Sequence, residues 1–152
     1  RDPFAKVGGM NHFLLPVSTN DVPKSDATSM ELRYGNYSME VLVNEVLKRG
    51  GRRERIEVKL FGGGNVMQRM ASMNIGHRNA DFIEKYVQLE GLKLISSDVR
   101  GVQARRVQYF PITGRARMMA IVATENEDIF KNEMKNRPRA EKVPSGDIEL
   151  FD

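Results

Sequence analysis

His12 and His77 are the only imidazoles in the chain, and no cysteine accompanies them. His12 stands between Asn11 and Phe13 inside an apolar run. Two readings of it are open. Its ring nitrogens are satisfied internally, as in most histidines of apolar segments, or it is a general base, since an imidazole with a pKa of about 6.5 exchanges protons near neutral pH. A base needs a nucleophile to activate, and pairing with a cysteine is the usual way in which a histidine raises thiolate content. The 152 residues hold no such thiol. None of the serines lies in a GxSxG nucleophile turn, so Ser–His–Asp chemistry has little support. With two histidines, no cysteine and no HExxH spacing, neither a metal site nor a cofactor is expected.

Gly62, Gly63 and Gly64 follow Phe61 and precede Asn65. Three glycines in a row permit positive φ and close approach of another backbone or a ligand. The Walker pattern would need a Lys-Ser/Thr pair after them, and the dinucleotide fingerprint is missing too. A tight turn lining a cleft is the reading that remains. The next polar cluster is Asn74-Ile75-Gly76-His77-Arg78-Asn79. Asn74 suits a helix N-cap and Gly76 a tight entry. Arg78 and Asn79 read equally as part of a hydrogen-bond network or as ligand contacts. His12 is therefore the catalytic candidate, and Gly62, Gly63, Gly64, Asn74, Arg78 and Asn79 are the substrate-binding candidates.

The elements that must position these residues follow from periodicity. Ala5 to Leu15, closed by Pro16, reads as a mostly buried strand. Val17 to Met30 is rich in Ser, Thr, Asn, Asp and Pro and reads as a loop. A helix is expected from near Asn36, with Met39, Leu42, Val43, Val46 and Leu47 at helical spacing and Gly50-Gly51 as the stop. Ile56, Val58 and Leu60 alternate with charged residues as in a half-buried strand. A second helix from Gly76 to Glu90 has Ala80, Ile83, Tyr86 and Val87 as its apolar stripe and Gly91 as its cap. Lys93–Ser97 forms a third strand; strands holding Val107 and Tyr109 and running from Arg115 to Val122 form a hairpin around Ile112-Thr113-Gly114. A short charged helix from Asn126 to Arg137 and a loosely held tail from Pro138 complete the chain. The order β-α-β-α-β-β-β predicts one mixed α/β domain over 1–152, with helices covering a sheet.

Composition limits the classes further. A 40% apolar and 29% charged chain is ordinary for a globular domain. No apolar run reaches the length of a membrane span, the N-terminus does not read as a signal peptide, and a cytoplasmic location is the default. The net charge of +4 permits acidic partners, but basic residues alternate with acids, as in Arg52-Arg53-Glu54-Arg55. A solvated mixed-charge surface is expected rather than nucleic-acid binding. Arg1 is not a methionine and leads straight into Asp2-Pro3, so the chain reads as a fragment whose beginning was lost.

In order along the chain stand Arg1-Asp2-Pro3, Lys6–Pro16 (KVGGMNHFLLP), Arg33–Glu40 (RYGNYSME), Lys59–Gly64 (KLFGGG), Asn74–Asn79 (NIGHRN) and Gly146–Phe151 (GDIELF). Together these segments resemble the CheD family of chemoreceptor glutamine deamidases over nearly the whole chain. The resemblance implies a layered α/β sandwich similar to the catalytic domain of cytotoxic necrotizing factor toxins, its first strands missing here and pairing with the strand of His12. It implies a cysteine-dependent amidohydrolase that converts glutamines of methyl-accepting chemotaxis receptors to glutamates with release of ammonia, His12 falling on the catalytic histidine. The nucleophilic cysteine would lie in a Gly-Ser-Cys segment about six residues ahead of the Arg1 position, so the cysteine-free chain alone is expected to be inactive. The chain departs from the pattern at Asp98-Val99-Arg100-Gly101, where the family shows Asp-x-Gly-Gly, and at Gln103-Ala104, where it often shows an arginine and a glycine. A differently shaped cleft edge is expected there. The alternative reading is a non-catalytic binding module that docks receptor helices or a chemotaxis phosphatase. A monomer, touching the membrane only through receptors, is expected in either case.

Overall fold

The computed structural model describes residues 1–14, 24–66, 74–121 and position 135. The elements are helix α1 (Lys24–Lys48), a single 3-10 turn (Arg53–Arg55), strand β1 (Glu57–Gly62), helix α2 (Ile75–Leu89) and strands β2 (Lys93–Val99), β3 (Arg105–Phe110) and β4 (Arg115–Ala120). The described residues thus form a mixed α/β fold of two helices and two small sheets.

Both helices end where glycine is placed to end them. Gly50 (φ +91°) and Gly91 (φ +61°) each take the left-handed conformation after the last turn. At α1, Gly51 N–H donates to Val46 O and Gly50 N–H to Leu47 O, both at 3.0 Å. At α2, Leu92 N–H donates to Val87 O at 3.0 Å and Gly91 N–H to Gln88 O at 3.2 Å. This double closure satisfies carbonyls that the helix itself leaves open.

α1 starts a dozen residues earlier than its apolar stripe suggests. The polar stretch expected to be a loop up to Met30 is helical from Lys24 onward, while 15–23 lie outside the described residues. Ser25 and Asp26 fall in the first turn, where short polar and negative side chains are favoured, and Ala27, Met30, Glu31 and Leu32 are strong helix formers.

The core lies between the helices and β1. Met39, Val43 and Val46 on α1 meet Phe82, Ile83, Tyr86 and Val87 on α2, with Ile56, Leu60 and Leu92 beneath them. Gly35 lets α1 approach closely, since a Cβ there would strike the Phe82 ring. β1 and β2 pair in parallel, and α2 makes the crossover between them, the connection a parallel pair requires. The register slips after Val58↔Leu94, so that Lys59 faces Ser96 and Ile95 is the extra residue of a bulge. β3 and β4 form the expected hairpin, from Arg105↔Ala120 to Phe110↔Arg115, with Gly114 at φ +72° in its turn. β4 stops at Ala120 and Ile121 N–H then reaches back to Ala104 O at 2.9 Å.

The strand expected over Ala5–Leu15 is not present among residues 5–14, where the one ladder contact is the bridge Asp2↔Val7. The run has no strand beside it among the described residues and lies instead against the helices. The helix expected over Asn126–Arg137 (apart from position 135, which is helical) and the tail from Pro138 lie outside the described residues.

The first residues are held by a buried carboxylate. Asp2 is 0% exposed. Its Oδ1 accepts from Phe4 N–H at 2.8 Å and Ala5 N–H at 3.0 Å, and its Oδ2 accepts from Arg52 N–H and Arg55 Nε–H, each at 2.9 Å. Arg55 also stacks over the Phe4 ring, 5.4 Å from its centroid. Burial alone would raise the Asp2 pKa, but the N–H groups of Ala5, Arg52 and Phe4 and the Arg55 guanidinium outweigh it and bring it from 3.8 down to about 2. A folded-state pKa below the ordinary value means that the contribution to stability is complete above pH 3.8 and lost as pH falls through about 2. Asp2→Asn is therefore expected to lower the thermal midpoint at neutral pH, with the gap to wild type closing between about pH 4 and pH 2. Paired melting curves across that range test this, and a constant gap would refute it.

Candidate active site

A cavity of about 800 Å³ opens between the segment Gly9–Leu14, the start of α2 and the inner side of β3. Its walls are mostly apolar: Leu42, Val43, Leu60, Ile83 and Val107 contribute to them. Four of the sequence candidates contribute from two chain segments, His12 on one and Gly62, Gly63 and Gly64 on the other, and Asn79 joins them from α2.

Each arrives by a different local device. Residues 10–13 alternate in exposure as an extended chain does: Asn11 and Phe13 are half-buried against the helices, whereas Met10 and His12 are exposed. The His12 side chain stands exposed at the cavity wall.

Gly62 (φ +108°) and Gly63 (φ +65°) take conformations that L side chains rarely adopt. The close approach they permit is made by the protein itself. A Cβ on Gly63 would lie 2.7 Å from Gly76 O, and one on Gly76 would lie 2.5 Å from Gly63 O and 2.6 Å from Gly64 O. Two backbones meet where either residue larger than glycine would separate them, and this sets the first turn of α2 against the end of β1. The run is thus a tight turn that lines the cleft.

Asn79 is buried on α2, while Arg78 is exposed and contributes nothing to the cavity wall. Asn74 occupies the N-cap position of α2, where its carbonyl accepts Arg78 N–H at 2.9 Å, but its side chain does not cap the helix. Asn74 sits at φ +45°, a left-handed conformation asparagine tolerates better than most residues, which turns its Oδ1 towards Asn65 Nδ2 at 3.3 Å.

Several cavity residues carry no sequence signal. Arg1 pairs with β1 through its backbone, donating to Glu57 O at 3.0 Å and accepting Glu57 N–H at 2.8 Å. Its guanidinium reaches Thr113 O at 2.7 Å and Ile112 O at 3.2 Å, while Lys59 Nζ donates to Gly114 O at 2.8 Å. Two cations on β1 and its neighbour thus satisfy the carbonyls of the hairpin turn. Tyr109 faces the same space, and burial pushes its hydroxyl pKa above 10, with Arg1 opposing and Glu57 adding to the shift. These contacts join residues more than fifty positions apart, which no local pattern announces.

The departure at position 100 leaves its own mark. Arg100 adopts φ +70°, the left-handed conformation glycine would supply, and its guanidinium spans Asp81 at 2.6 Å and Glu84 at 2.6 and 3.0 Å on α2. Next to it, Arg105 binds Asp98 at 2.7 Å and the carbonyls of Arg100 and Gln103 at 2.9 and 3.1 Å. The cleft-edge loop is thus tied down by two arginines. No helix among the described residues is long and apolar enough to cross a membrane.

An exposed histidine at the wall of an apolar cavity can move a proton for a group that enters the cavity. Comparison with known proteins identifies the family of the chain. A family model described as CheD chemotactic sensory transduction matches residues 14–120. A protein of Rhodopseudomonas palustris (strain BisA53) named probable chemoreceptor glutamine deamidase CheD is 49% identical over 152 residues, covering 99% of this chain and 70% of its own. Proteins with the same root name in Shewanella oneidensis and Halorhodospira halophila are 43% and 46% identical, each over 99% of this chain and over 72% and 70% of their own. On this match in both extent and identity, the chain belongs to the CheD family.

Proposed function

We propose that the protein is a chemoreceptor glutamine deamidase, a hydrolase that converts particular glutamines of methyl-accepting chemotaxis receptors to glutamate and releases ammonia. The observation that carries this reading is the match over 99% of the chain to relatives bearing that name. The exposure of His12 at the wall of a cavity large enough for a glutamine side chain is consistent with it.

The chemistry is acyl transfer through a thiol on the segment ahead of Arg1. The thiolate sulfur bonds to the glutamine side-chain carbonyl carbon, and the carbonyl electrons move to oxygen. As they return, the C–N bond breaks and the imidazolium of His12 gives its proton to the departing ammonia. Water then loses a proton to His12 as its oxygen bonds to the thioester carbon, and the C–S bond breaks to leave glutamate and the thiolate. Backbone N–H groups of the Gly62–Gly64 turn are candidates to steady the oxyanion, and the Asn79 amide to orient the substrate amide. Asn74 and Arg78 lie outside the cavity wall, and in this reading they meet the receptor backbone around the glutamine.

The 152 residues act in this proposal as one domain, completed to a layered α/β sandwich of the cytotoxic necrotizing factor type by strands ahead of Arg1. A cytoplasmic monomer with a chemotaxis phosphatase as regulatory partner belongs to the same reading. The direct test incubates the native protein with a receptor cytoplasmic fragment, measuring ammonia and mapping glutamine-to-glutamate conversion by peptide mass spectrometry. Site-specific conversion is expected, with none from residues 1–152 alone. A native protein that binds the fragment and converts nothing would leave the binding-module alternative.

A further inference from the structure

The segment that carries His12 is fastened to the helices through the residues on either side of the histidine. Asn11 Nδ2 donates to Ser38 O in the middle of α1 at 3.1 Å and lies 3.7 Å from Met39 Sδ. The amide orientation is fixed by this pairing, since turning the side chain over would set two carbonyl oxygens against each other. On one side, Gly9 touches α1 so closely that a Cβ would come within 2.7 Å of Leu42 Cδ1. On the other, the Phe13 ring stands edge-on to Phe82 of α2, with centroids 5.6 Å apart and planes at 76°. Alternation in an extended chain sends positions 9, 11 and 13 one way and positions 10 and 12 the other. Of these clamps, Asn11 makes the one directional bond, and it is adjacent to the histidine. Apolar contacts tolerate sliding along α1, but a hydrogen bond to one carbonyl fixes the register.

We infer that Asn11 is a positioning residue: its hydrogen bond to the Ser38 carbonyl fixes where the His12 imidazole stands over the cavity. The inference rests on the reading of His12 as the acid–base group and adds the device that aims it. A misplacement of about 1 Å at a reacting group is enough to cost on the order of 100-fold in rate, without weakening binding.

Steady-state kinetics of the native protein on a receptor fragment test it with four variants. Asn11→Ala removes the bond. Asn11→Asp keeps the shape, but a carboxylate has no proton to donate to Ser38 O. Both are expected to lower kcat by about 10- to 100-fold with KM within about twofold of wild type. Asn11→Gln restores a donor and is expected to recover most of the lost kcat, a rescue that a merely space-filling role would not show. Variants that keep wild-type kcat, or that raise KM with kcat unchanged, would overturn the positioning role. So would an Asn11→Gln protein as slow as Asn11→Ala. His12→Ala separates the two levels: if it retains full activity, the assignment of His12 fails, whereas an inactive His12→Ala beside a fully active Asn11→Ala defeats only the present inference.

Discussion

His12→Ala in the native protein is expected to lower receptor deamidation by about 1,000-fold or more in kcat, because one residue supplies the proton to ammonia and removes it from water. The side chain is exposed and makes no part of the core, so the thermal midpoint should stay near wild type, as surface substitutions do within about 0.5 kcal/mol. KM for the receptor fragment should hold within about twofold, since the ring acts on the reacting atoms and not on the receptor surface. Ammonia release under saturating receptor, with a melting curve on the same preparation, is the required pair of measurements. A folded His12→Ala protein that deamidates at the wild-type rate would remove the acid–base assignment, whatever its family.

Gly76→Ala is the second large effect, and here two principles compete. Helix propensity alone makes alanine about 1 kcal/mol better than glycine inside a helix. Geometry opposes it, since the new methyl carbon would sit 2.5 Å from Gly63 O and 2.6 Å from Gly64 O. These are backbone atoms of a turn already committed to positive φ at Gly63, so they cannot swing aside as a side chain tip can. Overpacking of this kind costs about 1–3 kcal/mol, and rigid backbone on the other side puts it at the upper end. A net loss of about 2 kcal/mol is expected, equivalent to a fall in thermal midpoint of roughly 4–8 °C for a chain of this size. Gly91→Ala is the control: the left-handed strain at φ +61° remains, but nothing lies within 4 Å of the new carbon, and the cost should be only about 1–2 kcal/mol. A Gly76→Ala protein as stable as wild type would mean that the turn and the helix are not in the contact described.

The parts of this fold that were legible are those whose cause is local. Gly50 and Gly91 end helices because a left-handed residue closes the last turn, and the apolar stripe of α2 is buried at Ala80, Ile83, Tyr86 and Val87 as its spacing requires. Ile56 and Leu60 are buried on alternate positions around β1. The hairpin was visible in its turn. The run from Ala5 to Leu15 was misread because a buried strand and an apolar segment laid against helices have the same composition, and only the neighbours distinguish them. The early start of α1 was missed because Ser and Asp favour loops and first helical turns alike.

The site divided for a similar reason. Arg78 and Asn79 are adjacent in sequence, but consecutive helical residues point about 100° apart, so Asn79 enters the core and Arg78 faces outward. A cluster in sequence is not a cluster in space. His12 and Gly62–Gly64 share a cavity although some fifty residues separate them, and nothing short of the tertiary fold, or a resemblance to proteins that share it, brings them together.

The buried Asp2 bears on the time course of folding as well as on its balance. Its bonds to Arg52 and Arg55 join residues 50 and 53 positions apart, so forming them closes a long loop whose entropy must be spent before any contact rewards it. The contacts within α2 and within the β3–β4 hairpin span far shorter stretches and can form first. The Asp2 bonds are expected to close late, in which case Asp2→Asn speeds unfolding and leaves the refolding rate near wild type, as stopped-flow unfolding and refolding would read. On that expectation the buried carboxylate is a latch on the unfolding rate.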